Sequence, residues 1–275
     1  MPIDPKLIDV EFEFDGSQGN YDDEQNWYSA GASEFPAKYL IDRSEWSDRI
    51  REMEKHKAFA EHFSDRFTHQ GKSHECVCHA AQQLFMAAYN RQLGGTKHSV
   101  YFSPLSLYTR ITDGRRWGGS NVQRSLRVLM SEGILPEHDG PAGKNSQYKR
   151  FRHTLHQTSG RDMPHWPTNG WVKPNRLPDG WEETAKHFRV IEAFTIPDRK
   201  AHASALLHGW AVCNGRNGHS IPHMSLKKDG RKYLSKYKDS YNLFRYDSEK
   251  LWGGGYCIRA VTLPDDPNRP TEMKD

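Results

Sequence analysis

Cysteine is scarce in this chain, four in 275 residues. Cys76, Cys78, Cys213 and Cys257 are too few and too scattered for a disulfide framework, which points to a reducing compartment. Long apolar runs are also missing. Residues 1–30 hold none and carry Glu11, Asp15, Asp22, Asp23 and Glu24. That excludes an ordinary signal peptide or membrane span there and gives the expectation of an intracellular protein with no membrane partner. A large charge excess is absent too. Thirty-nine basic residues face 35 acidic ones for a net +4, with 15 histidines besides. So weak a balance reads as an ordinary solvated surface and gives no reason to expect nucleic acid. Lys149, Arg150 and Arg152, with aromatics nearby, are read the same way. No internal repeat is present.

What is there suffices for a core: 35% hydrophobic and 12% aromatic residues, although the mean hydropathy of −0.90 is polar. Residues 1–62 read as an acidic arm, with Val10–Phe14 a short alternating strand, followed by a helix from Glu45 to about Phe63 with Ser44 as cap. Residues 63–137 read as mostly helical. They include Cys76 to Leu93, with Ala80, Ala81, Leu84 and Ala88 on one burial face, and Val122 to Ser131, capped by Ser120 or Asn121. Residues 138–188 read as a Pro- and Gly-rich crossover and insertion, with a helical piece at Tyr148–His156. Residues 189–264 read as strand-rich: Arg189–Thr195, a helix Asp198–His208, Gly209–Cys213, a hairpin from Gly218–Leu226 to Tyr233–Asp239 about Asp229-Gly230, and Tyr256–Leu263. A polar tail, 265–275, ends the chain.

The chemistry centres on Gln70-Gly71-Lys72-Ser73-His74-Glu75-Cys76. Cys76 falls in the first turn of its helix, where free N–H groups and the positive dipole end favour an anion and lower a thiol pKa. A thiolate is a nucleophile, and an amide side chain such as Gln70 can donate to a developing oxyanion. Glu75 adds an acidic side chain beside the thiol and is expected to oppose thiolate formation. A base must accompany the thiol. Among fifteen histidines the two candidates are His219 and His223, four apart on one strand and so on one face, and the choice of His219 between them is what a family resemblance implies.

The Gln-x5-Cys pattern at a helix mouth resembles the papain-like cysteine peptidases. Further stretches carry the same resemblance: Trp117-Gly118-Gly119-Ser120 before a helix, Gly218-His219-Ser220-Ile221, Lys238-Asp239-Ser240-Tyr241, and Leu251-Trp252-Gly253-Gly254-Gly255-Tyr256. Together they span about Phe63 to Leu263 without 138–180. Departures include Val77 where the family has tryptophan, Ser73 for a disulfide cysteine, and Asp239 and Tyr241 for asparagine and tryptophan. The resemblance implies a two-lobed α+β fold, with a helical lobe carrying Cys76 and a β-rich lobe carrying His219. It implies a thiol endopeptidase needing no cofactor and no metal. Cys76 attacks the peptide carbonyl, His219 acts as acid and base, Asp239 orients the imidazole, and Gln70 completes the oxyanion hole. Gly118 and Gly119 offer backbone to an extended peptide, and Tyr241 shields the His–Asp contact.

Two other readings accompany this one. The departures at Glu75, Val77, Asp239 and Tyr241 suit a catalytically inactive binding or structural protein on the same fold, such as a component of a larger assembly or virus particle. His74, Cys76, Cys78 and His79 are dense in soft ligands. Residues 76 and 78 diverge on a helix, however, and zinc pairs want two to four intervening residues.

Overall fold

The computed structural model describes residues 8–9, 30–64, 75–95, 101–112, 120–138, 180–216, 219–238 and 244–263. The expected strand Val10–Phe14 and helix Tyr148–His156 lie outside them.

Chain order begins with β1 (Ile8–Asp9) and α1 (Trp46–Lys55). The central α2 (Cys76–Gln92) follows, then β2 (Tyr101–Phe102), α3 (Pro104–Ile111), α4 (Val122–Ser131) and β3 (Pro136–His138). A short α5 (Trp181–Lys186) leads into β4 (Val190–Thr195) and α6 (Arg199–Leu207). Strands β5 (Val212–Arg216), β6 (His219–Asp229), β7 (Lys232–Lys238), β8 (Phe244–Ser248) and β9 (Tyr256–Val261) complete the described chain. Among the described residues seven strands form one sheet in the order β1-β8-β7-β6-β5-β9-β4, antiparallel except for the β1–β8 pair. Strands β2 and β3 pair separately.

The sheet is covered on both faces, so its strands alternate between two cores. Ala193, Cys213 and Tyr256 join the core of α2, α3 and α4, while Phe194, Val212 and Cys257 join that of α1 and α6. Polar residues such as Ser220, His223, Ser225 and Ser235 are buried along with the apolar ones, so alternation alone does not separate the two layers. Helix α2 is correspondingly buried all round from Cys76 to Asn90, not on one face as its spacing predicts. It lies between β5, β6 and β9 on one side and α3 and α4 on the other. Its polar side chains find partners there. Asn90 donates to the Phe63 carbonyl at 2.6 Å, and the Gln92 amide pairs with the backbone of Val261 at 2.7 and 3.0 Å, docking the helix end on β9.

Several expected boundaries shift for local reasons. The helix from Glu45 stops at Lys55 instead of Phe63. Lys57 turns left-handed at φ 51°, and the N–H groups of Lys57 and Ala58 bond back to Glu54 and Met53, a Schellman-type stop. Of the two caps weighed for α4, Asn121 is used, its side chain accepting the Arg124 N–H at 2.9 Å. The strand expected at Gly209–Cys213 begins at Val212, because Gly209 at φ 74° closes the end of α6. In the hairpin Asp229 pairs with Lys232, so the loop residues are Gly230 and Arg231, with Gly230 supplying the positive φ of 58°.

Candidate functional site

Cys76 is the first residue of α2, with Glu75 as its N-cap. Its sulfur meets three backbone N–H groups: its own, that of Val77, and that of Ser220 in β6. The first two are the unsatisfied donors of a helix start. The third comes from the residue following His219, so the beginning of β6 abuts the beginning of α2. His219 and Ser220 are both buried, and β6 packs along α2.

These donors act against burial. Cys76 is 0% exposed, and desolvation pushes its thiol up to about 12 in spite of the three N–H groups. The expected low thiol pKa is therefore not a property of the helix terminus alone, since a thiolate here needs a cation to take its proton. Cys78, Cys213 and Cys257 are likewise free, buried and shifted upward by desolvation.

Glu75 departs furthest from expectation. Its side chain makes no capping bond, is 1% exposed, and approaches His79 one turn along the helix, with Oε2 3.4 Å from Nε2. The contact has the form of an ion pair, but burial raises the Glu75 carboxyl well above its ordinary range and lowers the His79 imidazole to about 3. Both shifts favour a neutral carboxylic acid against a neutral imidazole, so Glu75 does not oppose the thiolate in the way its formal charge suggests. The i, i+4 spacing stacks the two side chains on one helix face, and their burial, which no sequence pattern announced, makes the pair.

The two candidate bases sit in different surroundings. β6 pairs with β5 in unbroken register from His219 to His223, so the two share parity as their spacing predicts. His223 points toward α6. Its Nδ1 lies 2.8 Å from Ser235 Oγ, its Nε2 lies 3.7 Å from Asp247 Oδ2, and its ring meets His202 edge-on at 4.7 Å. His202 in turn stacks on Trp252 at 5.1 Å. This buried cluster joins residues from α6, β6, β7, β8 and the loop before β9, and no sequence motif announced it. His219 is the histidine whose neighbour touches Cys76.

Gln70, Gly118, Gly119, Asp239 and Tyr241 lie outside the described residues. His74 does too, and among the described residues no group of three or more His, Cys, Asp or Glu is placed to hold a metal ion. No helix described is long and apolar enough to cross a membrane.

No protein-family model and no curated protein matches the sequence significantly. Solved structures do resemble the fold. Procathepsin B S9 from Trypanosoma congolense aligns over 95% of this chain and 88% of its own, with a TM-score of 0.52 at 9% identity. Digestive procathepsin L 3 of the Tenebrio molitor larval midgut aligns over 90% and 77%, also at 0.52, with 10% identity. At such identity the shared property is the fold. The chain has a papain-like α+β fold, and its cysteine-bearing central helix runs against the strand that His219 opens.

Proposed function

We propose that the protein is a thiol peptidase acting on peptide or protein substrates, with Cys76 as nucleophile and His219 as its acid–base partner. The observation that carries this reading is the contact of the Ser220 N–H with the Cys76 sulfur, which brings the residue after His219 to the amino end of α2. In this reading the thiol proton passes to the His219 imidazole, giving a thiolate–imidazolium pair that offsets the desolvation raising the isolated thiol. The thiolate attacks the scissile carbonyl. The Cys76 N–H and the Gln70 side-chain amide hold the oxyanion, and His219 gives its proton to the leaving amine. Water, deprotonated by His219, then attacks the acyl-enzyme carbonyl and releases Cys76. Asp239 orients the imidazole with Tyr241 shielding it, and Gly118 and Gly119 present backbone to an extended substrate.

A second reading, a non-catalytic binding protein on the same fold, has one observation in its favour: the complete burial of the Cys76 sulfur. Hydrolysis of a quenched-fluorescent peptide library separates the two. The peptidase reading expects turnover that is lost in Cys76→Ala and His219→Ala variants that remain folded. Wild-type turnover no greater than that of Cys76→Ala would leave the binding reading.

A further inference from the structure

Among the described residues Glu75 has little electrostatic company. Among them its Oε1 has no hydrogen-bond partner, and its Oε2 meets His79, whose own Nδ1 has none there either. Among the described residues no counter-charge acts on the carboxyl, whose shift comes from burial. On α2 Glu75 acts on Cys76 and Cys78. Arg110 of α3 acts on Cys78, and its guanidinium is engaged by Glu132 at 3.4 Å and by the carbonyls of Ser106 and Gly133 at 2.6 and 2.8 Å. Cys213 of β5 interacts with Cys76, and Tyr256 of β9 lies near Cys213 and Cys78; burial pushes both Cys213 and Tyr256 toward their neutral forms. A buried carboxylate without a donor or a cation is costly, whereas a carboxylic acid facing an imidazole nitrogen is not. An ionised Glu75 raises the thiol of Cys76, by less than desolvation does.

We propose that Glu75 and His79 are positioning residues for the nucleophile, a neutral proton-holding pair that keeps negative charge away from the amino end of α2 while Cys76 reacts. This rests on the reading of Cys76 as a nucleophile. With the carboxyl protonated, the helix donors act on the sulfur unopposed and the thiol proton can pass to His219. When the carboxyl loses its proton to solvent, a negative charge appears one residue from the sulfur and the thiolate is disfavoured. The protein is thereby restricted to working below the pH at which Glu75 ionises.

Two measurements test this. Infrared spectroscopy of the wild type at neutral pH, where exposed carboxylates are ionised, should show a protonated-carboxyl stretch that shifts in D₂O and is missing from Glu75→Gln. Thiolate absorbance of Cys76, taken as the difference from Cys76→Ala, should titrate alike in wild type and Glu75→Gln until Glu75 ionises. Above that pH the thiolate should be at least about tenfold more populated in Glu75→Gln, the equivalent of one pKa unit. His79→Phe should move the infrared titration, which a packing role for His79 would not do. Absence of the protonated-carboxyl band at neutral pH, or coincident thiol titrations at every pH, overturns the proposal. Neither readout needs substrate, so a protein that proves inert toward peptides, defeating the peptidase reading, would still decide this one.

Discussion

Replacing His202 by phenylalanine isolates the energetic effect of a titratable group buried between α6 and the sheet. His202 is 0% exposed, neither ring nitrogen has a hydrogen-bond partner among the described residues, and the ring stacks on Trp252 with 7° between planes. Burial lowers its pKa to about 3. A depressed histidine pKa means the unfolded chain binds the proton first as the medium is acidified. The stability that goes with the neutral folded form is complete above the unfolded value of about 6.5 and is lost as pH falls toward 3. Near pH 5 the unfolded chain has gained about 1.5 pKa units of proton binding that the folded chain has not, or about 2 kcal/mol. Phenylalanine cannot titrate, so His202→Phe should be about 2 kcal/mol more favourable relative to wild type near pH 5 than near pH 8. Misfit of the larger ring shifts both values equally and cancels in the comparison. Glu75, with its opposite sign, and His79 are present in both proteins and cancel as well. Urea unfolding followed by tryptophan fluorescence at the two pH values measures the difference. An equal effect of the substitution at both would show that folded and unfolded His202 titrate alike, refuting the claim that this imidazole is held neutral by burial.

Gly255→Ala places a Cβ 2.0 Å from the Cys213 carbonyl oxygen at a φ of 135°, so both sterics and backbone oppose it. A loss on the order of 4 kcal/mol is expected, with a melting temperature about 10 °C lower, and a melt within a degree or two of wild type would contradict the packing of β5 against β9. Leu126→Ala removes a wholly buried side chain from the face of α4 that meets α2 and should cost about 2–5 kcal/mol by denaturant unfolding, where a change near zero would argue against that core.

The elements that could be read in advance were those whose local chemistry and tertiary surroundings agree. Helix α4 has an amphipathic stripe and a capping asparagine, and its bounds agree with the structure. Helix α6 was expected one residue longer at each end, with Asp198 serving as its cap. Strand β8 was missed because Asp247, a polar residue at a position that turns out wholly buried, hides its alternation, and α5 because six residues give too short a period. Cys76 was legible through its place at a helix mouth. The raised thiol, the neutral Glu75–His79 pair and the His202–His223–Asp247 cluster were not. Each depends on burial between elements far apart in the chain, and formal charge in a sequence says nothing about desolvation.

The pairing of Cys76 with His219 is tested most directly by the rate at which an epoxide or iodoacetamide probe labels Cys76 near pH 6, mapped by mass spectrometry. An isolated thiol, above all one raised by burial, is protonated at that pH and reacts slowly. Labelling of Cys76 ahead of Cys78, Cys213 and Cys257, much faster than in denatured protein and abolished in His219→Ala, is the predicted result. Labelling of Cys76 no faster than in denatured protein, or unchanged in His219→Ala, would contradict the pairing.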